Sequence, residues 1–357
     1  MRPRHLMTAA LGALALSCQG PAAVLAREAP ANAAAEGPHA AITGAHRARA
    51  LDTLDRRLAH YVRRDRTPAI RARLAARRAD YIALTDPEAF RQAVNADLLA
   101  ASGDKHLQVW IEPRSRDEVI AQGPPPTLEQ MGAEEARNGF GVREVRVLED
   151  AVGYLDLAYF SGHPEAGAAI DAALAKLAGS RALILDLRRN GGGGEAALKR
   201  LMGHLAPEPM RLEDIVMRRC APDPADPEGC LQDGSRDVQE RWADAVADPT
   251  FPTQPVYVLT SRDSFSAAEA VAYALQAIGR ADVIGEVTGG GANPSMTMDL
   301  GPWFTIVMPF GEARHPATGT NWEGVGVQPD VAVPADRALD EALRRVSWFP
   351  HIPGLNA

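Results

Sequence analysis

The chain has 357 residues, with 38 lysines and arginines against 46 acidic residues and a formal net charge of −8. Apolar residues make up 46% and charged residues 24%, which is the composition of a globular protein and excludes a disordered or fibrous one. The acidic balance argues against a general nucleic-acid binder, which normally carries a basic face. No apolar run reaches the length of about 18 residues that a membrane helix needs. We therefore expect one large domain with a small one beside it.

Residues 1–26 predict a secretory signal peptide. A positively charged start precedes a short apolar stretch from Leu6 to Leu16, and small residues up to Ala26 suit signal-peptidase cleavage. A first helix of the fold is the alternative. The residues around Cys18 resemble a lipoprotein box with its leucine one place late, so a lipid anchor is the less favoured outcome. We expect an exported protein, periplasmic or secreted, with a disordered leader over residues 27–45.

Signal-peptide removal would leave two cysteines, Cys220 and Cys230. They flank a Pro/Asp-rich segment without periodicity, which we interpret as a loop. An even cysteine count in an exported chain favours a disulfide that closes this loop, and two free thiols are the alternative. The spacing lacks the paired cysteines or nearby histidines of a zinc site.

Apolar residues at helical spacing predict a three-helix unit over residues 46–101. The face of the first helix consists of Leu51, Leu54, Leu58, Tyr61 and Val62. Thr67 and Asp86 each precede a proline and predict the N-caps of the next two helices. Arginines and acids alternate on the other faces, which indicates solvated surfaces.

Beyond the helical unit the pattern changes to strands alternating with helices. Strands are predicted at 142–148, 152–160, 182–187, 256–260 and 282–285, and helices at 195–205 and 267–278. Continuous apolar strands followed by helices predict an α/β fold with a parallel or mixed sheet that helices cover.

A serine-rich turn over residues 261–266 follows one buried strand and opens an alanine-rich helix. The free N–H groups of a helix N-terminus can stabilise an oxyanion, so this position suits a serine nucleophile. A plain N-cap is the alternative, because serine is a favoured cap. By spacing, Ser264 is the better cap candidate, which leaves Ser266 in the first turn and free to project.

Four glycines at residues 191–194 follow another buried strand and precede its helix. Glycines let backbone N–H groups approach a ligand closely. The segment lacks the Gly-Lys-Ser/Thr ending of a phosphate loop and the spacing of a dinucleotide-binding turn. An oxyanion-binding turn and a flexible strand–helix connection remain as alternatives.

A serine nucleophile needs a base and a group that orients the base. His106 stands where a turn leads into a strand, and Glu323 is an acid among glycines and apolar residues. Taken singly, the alternatives are a structural histidine and a solvent-exposed loop acid.

Together these segments resemble the C-terminal processing (tail-specific) serine peptidases. The motifs that carry the resemblance are Gly153–Leu157, Leu185–Gly193, Phe265–Glu269, Gly103–Leu107 and Asn321–Val327. The last two are similar to the branch with tricorn core protease and interphotoreceptor retinoid-binding protein. The resemblance implies a ClpP/crotonase-like α/β peptidase domain over residues 102–357, with a small helical N-terminal domain at 46–101.

The family pattern also implies roles for individual residues. Ser266 maps to the nucleophile, His106 to the base and Glu323 to the group that orients the base. The N–H groups of Ala267 and Gly192 map to the oxyanion hole. No metal or cofactor is expected, and the substrate is a protein or peptide.

The sequence departs from the family pattern at several points, and it has no segment with the pattern of a PDZ domain, the module that feeds C-termini to many family members. The lysine of the tail-specific branch would lie 25 residues after the serine, where Gly291 stands, so a Ser/Lys dyad is excluded. Lys105 replaces the second serine of tricorn-like sites, and Asn293 stands where relatives often have histidine. We expect an exported serine endopeptidase of undetermined oligomeric state. The alternative is an inactive homologue that carries retinoids or fatty acids, which would have no need for the three side chains.

Overall fold

The computed structural model describes residues 42–121, 124–219, 221–223, 226–231 and 234–348, with only the backbone described at residues 222–231 and at Trp348. The predicted signal peptide, Cys18 and the leader up to residue 41 lie outside the described residues. In the described part of the chain, no helix is both long enough and apolar enough to cross a bilayer.

The N-terminal helices are α1 (Gly44–Arg57), a 3-10 turn (Leu58–His60), α2 (Thr67–Ala76), α3 (Arg78–Ala83) and α4 (Pro87–Ser102). Asp86 caps α4 as predicted, since its carboxylate accepts the N–H groups of the first turn. Thr67 is the first residue of α2 and not its cap. The second predicted helix is divided at Arg77, which leaves helical geometry (φ −110°, ψ 8°) and pairs with the buried Asp97 of α4 at 2.5 Å. Helical periodicity does not reveal that long-range pair.

The elements that follow are β1 (Gln108–Ile111), α5 (Arg116–Ala121), α6 (Leu128–Arg137), β2 (Val142–Leu148), β3 (Val152–Leu157), α7 (Ala166–Ala175), β4 (Ala182–Asp186), α8 (Glu195–Gly203), β5 (Asp214–Arg218), β6 (Ala221–Asp223), β7 (Asp226–Leu231), β8 (Arg236–Gln239), β9 (Val256–Thr260), α9 (Ala267–Ala277), β10 (Ala281–Gly285), β11 (Ser295–Gly301), β12 (Phe304–Pro309), β13 (Gly311–Arg314), β14 (Val331–Ala332) and α10 (Ala338–Trp348).

A six-stranded mixed sheet forms the centre of the fold, in the order β14-β10-β9-β4-β3-β2. All neighbours in it are parallel except β2, which pairs antiparallel with β3 at the edge. Strand residues alternate between two cores: Leu183 and Leu185 pack with α7, α8 and α9, and Ile184 packs with α10. The predicted α/β class, with a mixed sheet covered by helices, is confirmed.

A second sheet, in the order β1-β12-β11, joins the N-terminal helices to the rest of the chain. Its apolar face shares a core with α1 to α4, which includes the fully buried Leu54, Phe90, Leu98, Leu107 and Phe304. β1 follows α4 after a turn of five residues that contains His106. The helical segment therefore supports the strand at whose start the predicted base stands.

The Pro/Asp-rich segment interpreted as a loop contains a two-stranded ladder, in which β6 and β7 pair antiparallel. Backbone pairing needs no alternation of apolar and polar side chains, so the composition did not reveal these strands. Cys220 and the side chain of Cys230 lie outside the described residues, and so does the predicted disulfide.

Candidate active site

The turns after β4 and β9 meet at one edge of the central sheet. The two strands are parallel neighbours, with Leu185 opposite Val258, so their carboxyl ends lie side by side. The glycine turn follows the first strand and the serine turn follows the second. In open α/β sheets this edge is where ligands bind.

Ser266 has a strained backbone at the entrance to α9. Its φ of 55° and ψ of −117° lie in a region that costs a non-glycine residue about 1–3 kcal/mol. Ser266 is itself the N-cap residue, and its N–H donates to Oε2 of Glu269 at 2.9 Å. Ser264 is not the cap that its spacing suggested, because its hydroxyl donates to the Leu187 carbonyl oxygen beyond the end of β4, at 2.7 Å.

Gly192 lies directly against the serine turn. A Cβ atom at this position would be 2.7 Å from Cβ of Ser266 and 3.1 Å from the nitrogen of Ala267. Its φ of 105° also favours glycine. The structure thus brings both predicted oxyanion donors beside the serine. The Gly192 N–H donates to Oδ1 of Asn190 at 2.9 Å, so this donor must turn away from the amide to meet a substrate oxygen.

Asn190 joins the two turns, a role that sequence reasoning missed. It is fully buried, and its Nδ2 donates to the Leu157 carbonyl oxygen at 3.0 Å. Its backbone oxygen accepts the Phe265 N–H at 3.0 Å. The sequence did contain a signal for this role, since Asn190 lies in the motif Leu185–Gly193. An asparagine in a turn generally bonds to backbone groups.

His106 is 8% exposed and packs against the ring of Phe265, with 4.6 Å between the ring centroids. Burial lowers the pKa of His106, and the charge of Asp104 opposes this effect. The imidazole is therefore neutral near pH 7, as a general base must be. Among the described residues no hydrogen bond joins the imidazole to the Ser266 hydroxyl. Such bonds are often long before substrate binds. Phe265, whose ring packs against His106, directly precedes Ser266 in the chain.

Glu323 faces His106 and is not a solvent-exposed loop acid. Its Oε2 accepts the N–H groups of Ala292 and Asn293, at 2.7 and 3.1 Å. Its Oε1 is buried without a hydrogen-bond partner, and so is Nδ1 of His106. Burial, together with the charge of Asp104, raises the pKa of Glu323 to about 7. A small shift that joins Nδ1 to Oε1 would satisfy both buried atoms.

Glu269 anchors the loop that carries these groups. The side chain is fully buried, and it accepts hydrogen bonds from the hydroxyl of Thr288 and the N–H groups of Ser266, Gly290 and Gly291. Burial raises the pKa of Glu269, and the four donors oppose this by stabilising the carboxylate. The sequence placed Glu269 in a family motif but gave it no role.

Further bonds hold the segment around Glu323 against this glycine loop. The Gly324 N–H donates to the Gly290 carbonyl oxygen, and the Trp322 indole N–H donates to that of Gly291, both at 3.0 Å. Two adjacent loops thus present Glu323 toward His106.

Asp104, His106 and Glu323 have donor atoms within 4.8 Å of one another, close enough to hold a metal ion. Asp104 already uses both oxygens, to accept the His106 N–H and the Tyr61 hydroxyl. Three donors are fewer than the four ligands of a structural zinc site, whereas a catalytic zinc site has three protein ligands and a water in the fourth position.

Lys105, which stands where the resemblance places the second serine of tricorn-like sites, is not one of the three side chains of this cluster. Its ammonium donates to the Gly289 carbonyl oxygen. The residue lines a groove of about 460 Å³ beside the serine turn, together with Leu99, Gln108, Arg262, Asp263, Phe265 and Gly289. Phe265, the residue before Ser266, is part of its wall.

Comparison with known proteins places the sequence in a family. The sequence profile of peptidase family S41 matches residues 151–333, which include Gly192, Ser266 and Glu323 but not His106. A peptidase candidate from Parabacteroides merdae is 16% identical, with a TM-score of 0.56 over 85% of this chain and 97% of that one. A lipoprotein from Streptococcus agalactiae is 17% identical, with a TM-score of 0.52 over 86% of this chain and 96% of that one.

These two structures share the fold over most of both chains. The photosystem II D1 C-terminal processing protease is 25% identical, with a TM-score of 0.38 over 55% of this chain and 47% of its own.

Proposed function

The chain belongs to peptidase family S41, and on this basis we propose that it is an exported serine endopeptidase that cleaves peptide bonds through an acyl-enzyme. The family membership confirms the resemblance to the C-terminal processing peptidases and makes the chain a peptidase. The residue roles, the export and the endopeptidase specificity are our proposal. The substrate is a protein or peptide.

In the proposed mechanism, Ser266 attacks the peptide carbonyl while Nε2 of His106 takes its proton. Glu323 accepts the Nδ1–H of His106, which fixes the tautomer and stabilises the imidazolium that forms. The N–H groups of Ala267 and Gly192 bind the oxyanion. His106 then protonates the leaving amine, and a water molecule, deprotonated by the same histidine, hydrolyses the ester to release the acid and regenerate the serine.

The backbone strain at Ser266 is the observation that carries this proposal. A conformation of this cost persists only where the surroundings hold it. Here Glu269 binds the Ser266 N–H, Asn190 binds the N–H of Phe265, and Ser264 is bonded to the strand end. The same turn has Gly192 packed against it, which brings backbone N–H groups to the serine. A serine that only capped a helix would need neither feature.

Labelling with a fluorophosphonate probe tests the proposal directly. The purified protein should react at one serine, Ser266→Ala should not react, and His106→Ala should lose most of the reaction. Ser347→Ala, which removes a hydroxyl on the remote helix α10, is the matched control and should react normally. Full labelling of Ser266→Ala, or none of the wild type, would overturn the mechanism.

The export proposal rests on residues 1–26 and has its own test. Protein recovered from the periplasm or the medium should begin near residue 27 and carry no lipid. It should also contain no free thiol, if Cys220 and Cys230 are paired as the even cysteine count favours. An intact N-terminus in protein that stays inside the cell would contradict export.

A further inference from the structure

Asp104 is a buried, fully hydrogen-bonded residue between the N-terminal helices and His106. The side chain is 2% exposed, and its Oδ1 accepts the backbone N–H of His106 at 2.9 Å. Its Oδ2 accepts the hydroxyl of the fully buried Tyr61 at 3.1 Å. The Asp104 N–H in turn donates to Oγ of Ser102, the last residue of α4, at 3.0 Å. The carboxylate therefore connects the helical segment to the backbone of the proposed base.

We propose that Asp104 is a positioning residue for His106, and that Tyr61 holds Asp104 in place, so that the N-terminal helices form part of the catalytic apparatus. The inference rests on the proposed function, because it assigns a role relative to the base. It is independent of the roles of the oxyanion donors, which touch other atoms.

The position of Asp104 favours an electrostatic role in addition to the hydrogen bond. Its charge acts on the imidazole and also on Glu323, and the donor atoms of the three side chains lie within 4.8 Å. A negative charge beside the base stabilises the imidazolium that forms when Ser266 loses its proton. Burial raises the pKa of Tyr61 further above neutrality, so its hydroxyl stays a donor to Asp104.

The charged groups that face His106 come from three elements. Asp104 lies on the same turn as His106, and Glu323 comes from the segment after β13. Glu269 on α9 raises the pKa of Glu323 through its negative charge. The ammonium of Lys105 is turned toward the Gly289 carbonyl oxygen. Removal of the Asp104 charge lowers the pKa of both His106 and Glu323. The neutral imidazole and the ionised carboxylate then persist to lower pH.

The experiment measures the second-order rate of fluorophosphonate labelling against pH, which requires no knowledge of the substrate. Asp104→Asn removes the charge and keeps one acceptor oxygen for the His106 N–H, while its NH2 group can donate to the Tyr61 hydroxyl oxygen. We expect its rate at pH 8 to fall about tenfold, and the midpoint of its acid limb to move down by about half a pH unit or more. Tyr61→Phe should lose about threefold in rate with the midpoint unchanged.

Tyr81→Phe is the matched control, because Tyr81 is equally buried in the same helical unit and donates its hydroxyl to another buried aspartate, Asp97. It should lower thermal stability but leave the labelling rate and the midpoint unchanged. If Asp104→Asn does not fold, the test is the comparison of labelling rates between Tyr61→Phe and Tyr81→Phe. A rate loss in Tyr61→Phe alone supports the proposal.

Two results would overturn the proposal while leaving the proposed function intact. One is a folded Asp104→Asn protein with wild-type rate and midpoint, and the other is equal rate losses in Tyr61→Phe and Tyr81→Phe. A wild-type protein that does not label would instead overturn the proposed function, and this inference with it.

Discussion

The backbone N–H of Ser266 donates to the carboxylate of Glu269 at 2.9 Å, three residues along the same helix. The same carboxylate accepts the N–H groups of Gly290 and Gly291, at 2.6 and 2.8 Å. The carbonyl oxygens of these two glycines hold Trp322 and Gly324, which flank Glu323. One buried acid therefore sets the distance between the proposed nucleophile and the proposed orienting group.

Glu269→Gln should destabilise the fold and reduce activity together. The amide replaces one acceptor oxygen by an NH2 donor, which then meets an N–H or hydroxyl donor without a partner. We expect the free energy of unfolding to fall by about 2–3 kcal/mol, measured by denaturant titration. Glu341→Gln on α10, whose partners are helix-surface arginines, is the control and should change stability by no more than about 0.5 kcal/mol. Equal stabilities of the two variants would contradict the anchoring role.

Gly192→Ala should abolish most activity. The added Cβ would meet Ser266 Cβ at 2.7 Å and the Phe265 carbonyl oxygen at 2.9 Å, so the glycine turn must retreat from the serine. Loss of one oxyanion donor costs about 10²–10³-fold in rate, measurable as labelling or peptide hydrolysis.

Gly179→Ala is the control for this substitution. Gly179 has a positive φ of 82° but nothing within 4 Å of its added Cβ, so it shares the backbone strain without the collision. It should lose stability and keep its activity per folded molecule. A Gly192→Ala protein with wild-type activity would show that the glycine turn is only a connection.

Much of the fold could be predicted because the central strands β3, β4 and β9 are buried on both faces. The edge strand β2 is partly exposed and was predicted from its alternation of apolar and polar residues. The predicted strands at 256–260 and 142–148 agree with β9 and β2 at both ends, and β4 ends one residue earlier than predicted. Strands such as β11, with partly exposed residues and no clean alternation, gave no comparable signal. Their position depends on the N-terminal helices that pack against them.

The sequence allowed us to name candidate residues for the site, but it did not predict the hydrogen bonds that hold them. Ser264 and Ser266 both stand where a cap is expected, and only the fold shows that Ser264 bonds to the end of a neighbouring strand. Likewise Asn190 and Glu269 act through residues distant in sequence. Local spacing carries no information about such partners.

Glu323→Gln should make the protein more stable and less active at pH 8. Burial and the charge of Asp104 raise the pKa of Glu323 from its ordinary value of 4.5 to about 7 in the fold. A raised carboxyl pKa means that the folded state binds more protons than the unfolded one between these values, so stability falls as pH rises from about 4.5 to 7. Glutamine removes this loss and retains an acceptor for the Ala292 N–H.

Denaturant titrations at two pH values check this sign. We expect the glutamine variant to be more stable than the wild type by about 1–3 kcal/mol at pH 8, with the difference gone at pH 4. Its labelling rate should fall at both pH 7 and pH 8, because His106 loses the group that fixes its tautomer. Asp340→Asn, on the exposed side of α10, is the control and should show no such pH-dependent gain. A variant that is less stable than the wild type at pH 8 would mean that the carboxylate is stabilised by His106 more strongly than burial destabilises it.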